Sequence, residues 1–274
     1  QRLAFDEIFS SFLVHSQIRK KIKKIKKEKK NFEFVEQEKF ISNLKFKLTN
    51  DQLKTLKEIN KDLVSNQKMF RLLQGDVGSG KTIVALIAAL NVVNSGYQVA
   101  VMAPTEILSR QHFFLAKSLF QSSININQLS SKTEYKEKKM ILNELKNKKI
   151  DIIFGTHSIF QKKIEFKNLG LIIIDEQHKF GVNQRKKLSD KGGINCDILL
   201  MSATPIPRTL TMTVYGDMDL SIIREKPKSR KDVITYSKLD TKINDIIRFV
   251  KKEIKSGNQI FWVCPLIEES KKID

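Results

Sequence analysis

The feature that most constrains this chain is the stretch Phe70 to Leu90, FRLLQGDVGSGKTIVALIAAL. Apolar residues lead into Gly75, a glycine-spaced loop runs to Gly80-Lys81-Thr82, and a long apolar run follows. Strand, loop and helix in that order form a phosphate-binding P-loop, with the pattern GxxxxGK(S/T) filled by Gly75, Gly80, Lys81 and Thr82. Gly75, Gly78 and Gly80 permit positive φ and close approach of the backbone to phosphate oxygens. Loop N–H groups and the helix N-terminus supply fixed partial positive charge. Lys81 is placed to reach the β- and γ-phosphates of a nucleotide, and the Thr82 hydroxyl to sit on Mg²⁺. Gly75, Asp76, Val77, Gly78, Ser79, Gly80, Lys81 and Thr82 are therefore the candidate ATP-binding residues.

A parallel sheet is expected around this loop. Apolar runs at Gln98–Ala103, Asn125–Leu129, Asp151–Phe154, Leu169–Ile174 and Asp197–Met201 alternate with helical segments near 107–119 and 134–147. Strands apolar on both faces and separated by helices read as an α/β sheet covered on each side. Polar clusters follow the strands repeatedly: Pro104-Thr105-Glu106, Gly155-Thr156-His157, Asp175-Glu176-Gln177-His178 and Ser202-Ala203-Thr204. The carboxyl edge of such a sheet is where ligands bind. Asp175, ending the most apolar strand, is placed to hold Mg²⁺ through water, and Glu176 to activate the attacking water as general base. Gln177, His178, Ser202 and Thr204 are candidates for coupling the γ-phosphate state to the neighbouring strand. Gln52, behind a Thr49 or Asn50 cap, reads locally as part of a helix start rather than as a ligand.

Before the P-loop, residues 3 to 30 read as one helix, with Leu3, Ile8, Phe12, Ile18, Ile22 and Ile25 at helical spacing. Its second half, RKKIKKIKKEKK, reads as a solvated face more readily than as a nucleic-acid contact. The chain carries a formal charge of +20 over 274 residues. That charge fits a polyanionic partner such as nucleic acid, but only nine of the 50 basic residues are arginine, and a lysine-biased composition explains it equally well. Two separated cysteines, Cys196 and Cys264, match no metal spacing and suggest a reducing, cytoplasmic setting. No run reaches membrane-spanning length, so no membrane partner is expected.

Together these motifs resemble the ordered motifs of superfamily 2 helicases. Within that superfamily, LLQGDVGSGKT, MAPTEILSRQH, IIIDEQHKFGVNQR, MSATPIPRTL and FWVCPLIEES are similar to the bacterial RecG branch-migration helicases. The opening RLAFDE is similar to the helix joining their wedge domain to the motor. Mfd-type transcription-repair coupling factors share a similar motor and the ATPIPRTL segment, but differ at the P-loop and at DEQH, which also sets the chain apart from DEAD-box RNA helicases. The resemblance implies a RecA-like P-loop fold and ATP- and Mg²⁺-dependent action on branched DNA in recombination and repair, by an expected monomer. It makes Gln52 an adenine reader and places Thr105, Arg110, Thr156 and His157 near DNA; Arg185 and Arg208 are candidates for coupling or DNA contact. It also implies an N-terminal region at 1–45, a first RecA-like domain at 46–224 and, at 225–274, a linker with the start of a second. In that second domain strands are expected at 233–237 and 259–264 around a helix at 241–255. Its later motifs, including an arginine finger, do not occur in the chain, which therefore reads as a piece of a longer protein. Two other readings stay open: an Mfd-like double-stranded DNA translocase, and a nucleotide- and DNA-binding module without motor activity.

Overall fold

The computed structural model describes residues 24–263 except 121–122, 162–163, 177–192, 205–217 and 228–232, with isolated positions before residue 24. Two compact units are present, residues 1–229 and 230–274.

The first unit is built on a seven-stranded parallel sheet: β1 (Phe70–Gly75), β2 (Gln98–Met102), β3 (Ile126–Leu129), β4 (Ile152–Gly155), β5 (Leu169–Ile174), β6 (Asp197–Ser202) and β7 (Asp219–Ile223). Their order in space is β3-β4-β2-β5-β6-β1-β7. Alternate residues of these strands enter two cores. Leu73, Val99, Val101, Phe154, Ile173 and Leu199 face one side, while Leu72, Ala100, Met102, Ile153, Ile172 and Leu200 face the other. Burial on both faces is why the inner strands β2, β4, β5 and β6 are almost wholly apolar, whereas the edge strands β3 and β7 carry polar residues.

The first core is closed by α2 (Asn50–Leu63), α3 (Lys81–Asn94) and α4 (Glu106–Phe120), and the second by α5 (Tyr135–Lys146). The P-loop helix α3 has ten of its 14 residues buried, which explains a sequence apolar all round. At the start of α2 the Thr49 hydroxyl accepts from Gln52 N and Gln52 Oε1 accepts from Thr49 N, a reciprocal capping box.

Several expectations are corrected. The described positions before Ile25 are helical, but residues 25–33 are not. There the backbone bonds elsewhere: Lys26 bridges Gln67, Lys27 N donates to Asn66 O, and Lys68 N donates to Ile25 O. Tertiary backbone pairing replaces the helical bonds that local spacing favoured. Helix α1 (Phe34–Ser42) and strand β7 are additions to the expected set. The solvated-face reading fails at Lys27 and Lys30, which are 6% and 1% exposed.

In the second unit, α6 (Ile243–Lys255) forms as expected, but 233–237 and 259–263 are not strands. Val233, Ile234, Tyr236, Phe261, Trp262 and Val263 are exposed, and no neighbouring strand pairs with them among the described residues. Isolated β-conformation leaves its backbone groups unpaired, so apolar β-formers alone do not produce a strand.

Candidate active site

Strands β1, β2, β4, β5 and β6 deliver their polar tips to one edge of the sheet, because all run parallel. At β1 the chain leaves Gly75 and turns through Asp76, Val77 and Gly78, all exposed, into buried Ser79. Gly78 and Gly80 have φ of 77° and 87°, a conformation side chains resist. A Cβ at Gly80 would meet Gln52 Nε2 at 2.2 Å, and one at Gly75 would meet Ser79 Oγ at 2.6 Å. Lys81 begins α3, and its Nζ donates to the carbonyls of Gly75 at 2.6 Å and Asp76 at 3.0 Å. Burial lowers the Lys81 pKa from the ordinary lysine value, against the pull of Asp175, Glu176 and Asp76. Thr82, in the same first turn, is half-buried.

Asp175 and Glu176 follow β5. Asp175 N donates to Met102 O at 2.8 Å, and the carboxylate is spanned at both oxygens. Its Oδ1 accepts from Glu176 N at 3.0 Å, and its Oδ2 lies 2.7 Å from Nε2 of His112 on α4. Glu176 has φ 52°, the left-handed region, where a non-glycine residue stores backbone strain. After β6, Ser202 Oγ and Thr204 Oγ1 are 2.9 Å apart, and the Thr204 carbonyl accepts from Gln74 Nε2 at 3.0 Å. That bond ties the β6 tip to the strand carrying the P-loop.

Thr105 and Thr156 follow β2 and β4 at the same edge. Thr105 is exposed and its hydroxyl accepts from Leu108 N, starting α4; exposed Arg110 lies over the Phe114 ring at 5.4 Å. Thr156 is half-buried beside Ser158, and His157 is exposed. Gln177, His178, Arg185 and Arg208 lie outside the described residues. Gln52 has both ends of its amide engaged: Oε1 takes the Thr49 N–H, and Nε2 donates to Ser79 O at 2.7 Å. It joins the α2 cap to the P-loop; an amide has two N–H donors and two oxygen lone pairs, so these two bonds do not use up its hydrogen-bonding capacity.

The residues fit a nucleotide phosphate. Ser79 Oγ is buried with no hydrogen-bond partner among the described residues, inside a loop that carries a lysine and two left-handed glycines. Among the described residues no three His, Cys, Asp or Glu side chains gather as a metal cage. Magnesium characteristically takes one or two protein groups, completing its shell with water and substrate phosphates.

Three contacts escaped sequence reasoning. His112 occupies the buried stripe Ser109, His112, Ala116, Phe120 of α4, and its helical spacing was the available signal. Asp51 and Glu225 exchange bonds across 174 residues: Asp51 Oδ2 accepts from Arg224 N and Glu225 N, and Glu225 Oε2 accepts from Asp51 N. Those bonds hold the Asp51 pKa below the usual carboxylate value. Lys226 Nζ lies 3.5 Å from the P-loop residue Asp76. Nothing local in the sequence signals the latter two.

The parallel sheet, P-loop and adjacent acid pair are those of a helicase ATPase domain. Residues 49–213, more than half of the chain, match the DEAD/DEAH box helicase family, and the chain belongs to it. Within that family its likeness is to ATP-dependent DNA helicase RecG. It is 47% identical to RecG of Aquifex aeolicus (strain VF5) over 276 residues, covering 100% of this chain and 35% of that protein. With RecG of Bacillus subtilis (strain 168) it is 51% identical over 236 residues, covering 86% and 34%. A solved structure of RecG bound to a three-way DNA junction superposes with a TM-score of 0.87 at 42% identity, covering 97% of this chain and 36% of that one. The chain thus spans about a third of the length of these relatives.

Proposed function

We propose that this chain is the ATP-binding portion of a RecG-type motor, which couples ATP hydrolysis to remodelling of branched DNA during recombination and repair. Its regions are 1–45, leading into the motor, a first RecA-like domain at 46–224, and the linker and start of a second at 225–274; the protein acts as a cytoplasmic monomer. The observation that carries the reading is the P-loop at the tip of β1, with two left-handed glycines leading to Lys81 at the start of its helix, on the same sheet edge as Asp175 and Glu176.

In this reading Lys81 exchanges its bonds to the Gly75 and Asp76 carbonyls for β- and γ-phosphate oxygens, while loop N–H groups and Ser79 Oγ close around the phosphates. The Thr82 hydroxyl and Asp175 would hold Mg²⁺, which would supply charge neutralisation to the phosphates. Glu176 takes a proton from the attacking water. The bond from Gln74 to the Thr204 carbonyl lets Ser202 and Thr204 follow the state of the P-loop strand. Thr105, Arg110, Thr156 and His157 contact the DNA backbone, positioning a strand without reading its sequence.

The test replaces the matching segment of Aquifex aeolicus RecG with this chain and measures ATP hydrolysis with and without a three-way DNA junction. Junction-stimulated hydrolysis is expected. Salt-dependent DNA binding with no stimulated hydrolysis would instead support a binding module without motor activity.

A further inference from the structure

We propose that His112 is a positioning residue for the metal site, fixing the orientation of the Asp175 carboxylate. This rests on the reading of Asp175 as the Mg²⁺-holding acid. A carboxylate at a strand tip swings about its terminal torsion unless both oxygens are held. Here both are: the neighbouring Glu176 N–H holds Oδ1, and His112 Nε2 holds Oδ2 at 2.7 Å. An ionised carboxylate only accepts hydrogen bonds, so the proton lies on Nε2 and the imidazole is the donor.

The two groups come from separate elements, and the contact shields itself: Asp175 is 7% exposed and His112 is 8% exposed. A charge-assisted bond in that setting is shorter and stronger than a neutral one, and it holds geometry. His112 also lies about two turns along α4 from Thr105, whose hydroxyl caps the start of the same helix. The helix that starts beside the proposed DNA contacts therefore also grips the metal-holding acid.

Bonds that orient a metal-holding group from behind are worth roughly 10–100-fold in metal affinity. The two conservative amides separate the bond from mere filling of space. Glutamine carries its amide nitrogen near the position of Nε2, whereas the amide nitrogen of asparagine falls near Nδ1 and stops short of Asp175. The experiment titrates Mg²⁺ into the chain with a fluorescent non-hydrolysable ATP analogue, and follows unfolding of each variant in parallel.

His112→Asn is expected to raise the Mg²⁺ concentration for half-maximal binding about tenfold. His112→Gln restores it to within about twofold, and analogue binding in EDTA is the same for all three proteins. Equal Mg²⁺ dependence in wild type and His112→Asn would overturn the proposal. So would equal losses in the two amide variants, or a loss in His112→Asn that persists in EDTA, since each assigns His112 to packing alone. If the wild-type chain bound the analogue with no Mg²⁺ dependence, the reading of Asp175 itself would fail, and the proposal with it.

Discussion

The two edges of the central sheet are built to opposite rules. At the carboxyl edge, polar groups keep bonding capacity unspent: Lys81 rests on loop carbonyls, half-buried Glu176 sits in a left-handed backbone, and buried Ser79 Oγ has no partner among the described residues. At the amino edge everything is closed. Lys27 and Lys30 each place Nζ 2.6 Å from the same Asp197 oxygen, with all three side chains inaccessible to solvent. The other Asp197 oxygen accepts from Met69 N, and the lysines also donate to the carbonyls of Leu63 and Asn195. Lys30 lies over the Tyr97 ring at 5.0 Å, and Cys196 is fully buried alongside. A group that must bind a ligand keeps capacity in reserve. A group that only fastens the chain to the sheet spends all of it, because an unmet charge in the interior is costly.

Four measurements sharpen or break this contrast. The largest effect is on turnover: Glu176→Gln, in the chain grafted into a full-length relative, is expected to lower the ATPase rate about 10²–10⁴-fold while nucleotide affinity holds. Near-normal steady-state hydrolysis would remove Glu176 as the base. Next is Asp197→Ala, which strands two buried ammonium groups and costs about 3–5 kcal/mol in urea unfolding. Lys27→Met costs less, since Lys30 still pairs the carboxylate; equal losses from both changes would show that the cluster is not organised around Asp197.

Third, Lys81→Ala is expected to weaken Mg-ATP binding by roughly 1.5–3 kcal/mol without destabilising the fold. Isothermal titration yielding equal affinities would sink the P-loop assignment. The smallest effect is alkaline. Burial pushes the Cys196 thiol up from 9.0 to about 12. A raised folded pKa means the native thiol keeps its proton where the unfolded one has lost it, so the stabilisation is complete below pH 9 and is lost as pH rises towards 12. Relative to Cys196→Ala, the wild type should lose roughly 1 kcal/mol between pH 8 and pH 10. Parallel unfolding curves across that range would place Cys196 in contact with solvent.

Six of the seven strands, the P-loop and the polar residues at the strand tips were legible in the sequence. Phosphate chemistry demands Gly75, Gly80, Lys81 and Thr82 in local order, and a strand buried on both faces must read as LGLIII before it can end in Asp175 and Glu176. Those signals survive in a linear reading because each is contained in one strand–loop–helix unit. The tertiary structure alone decided the rest. Lys27 and Lys30 look like solvated charges until Asp197 arrives from about 170 residues away, and their segment leaves the helix because residues 66–68 offer backbone partners. Gln52 reads locally as part of a helix cap, and nothing near it in the chain shows that its amide also reaches Ser79 O. His112 looks like one more position on a buried stripe until β5 sets Asp175 against it. Hydrophobic periodicity reports that a side chain is inside; which group it meets there depends on elements distant in the chain, and local sequence carries no record of them.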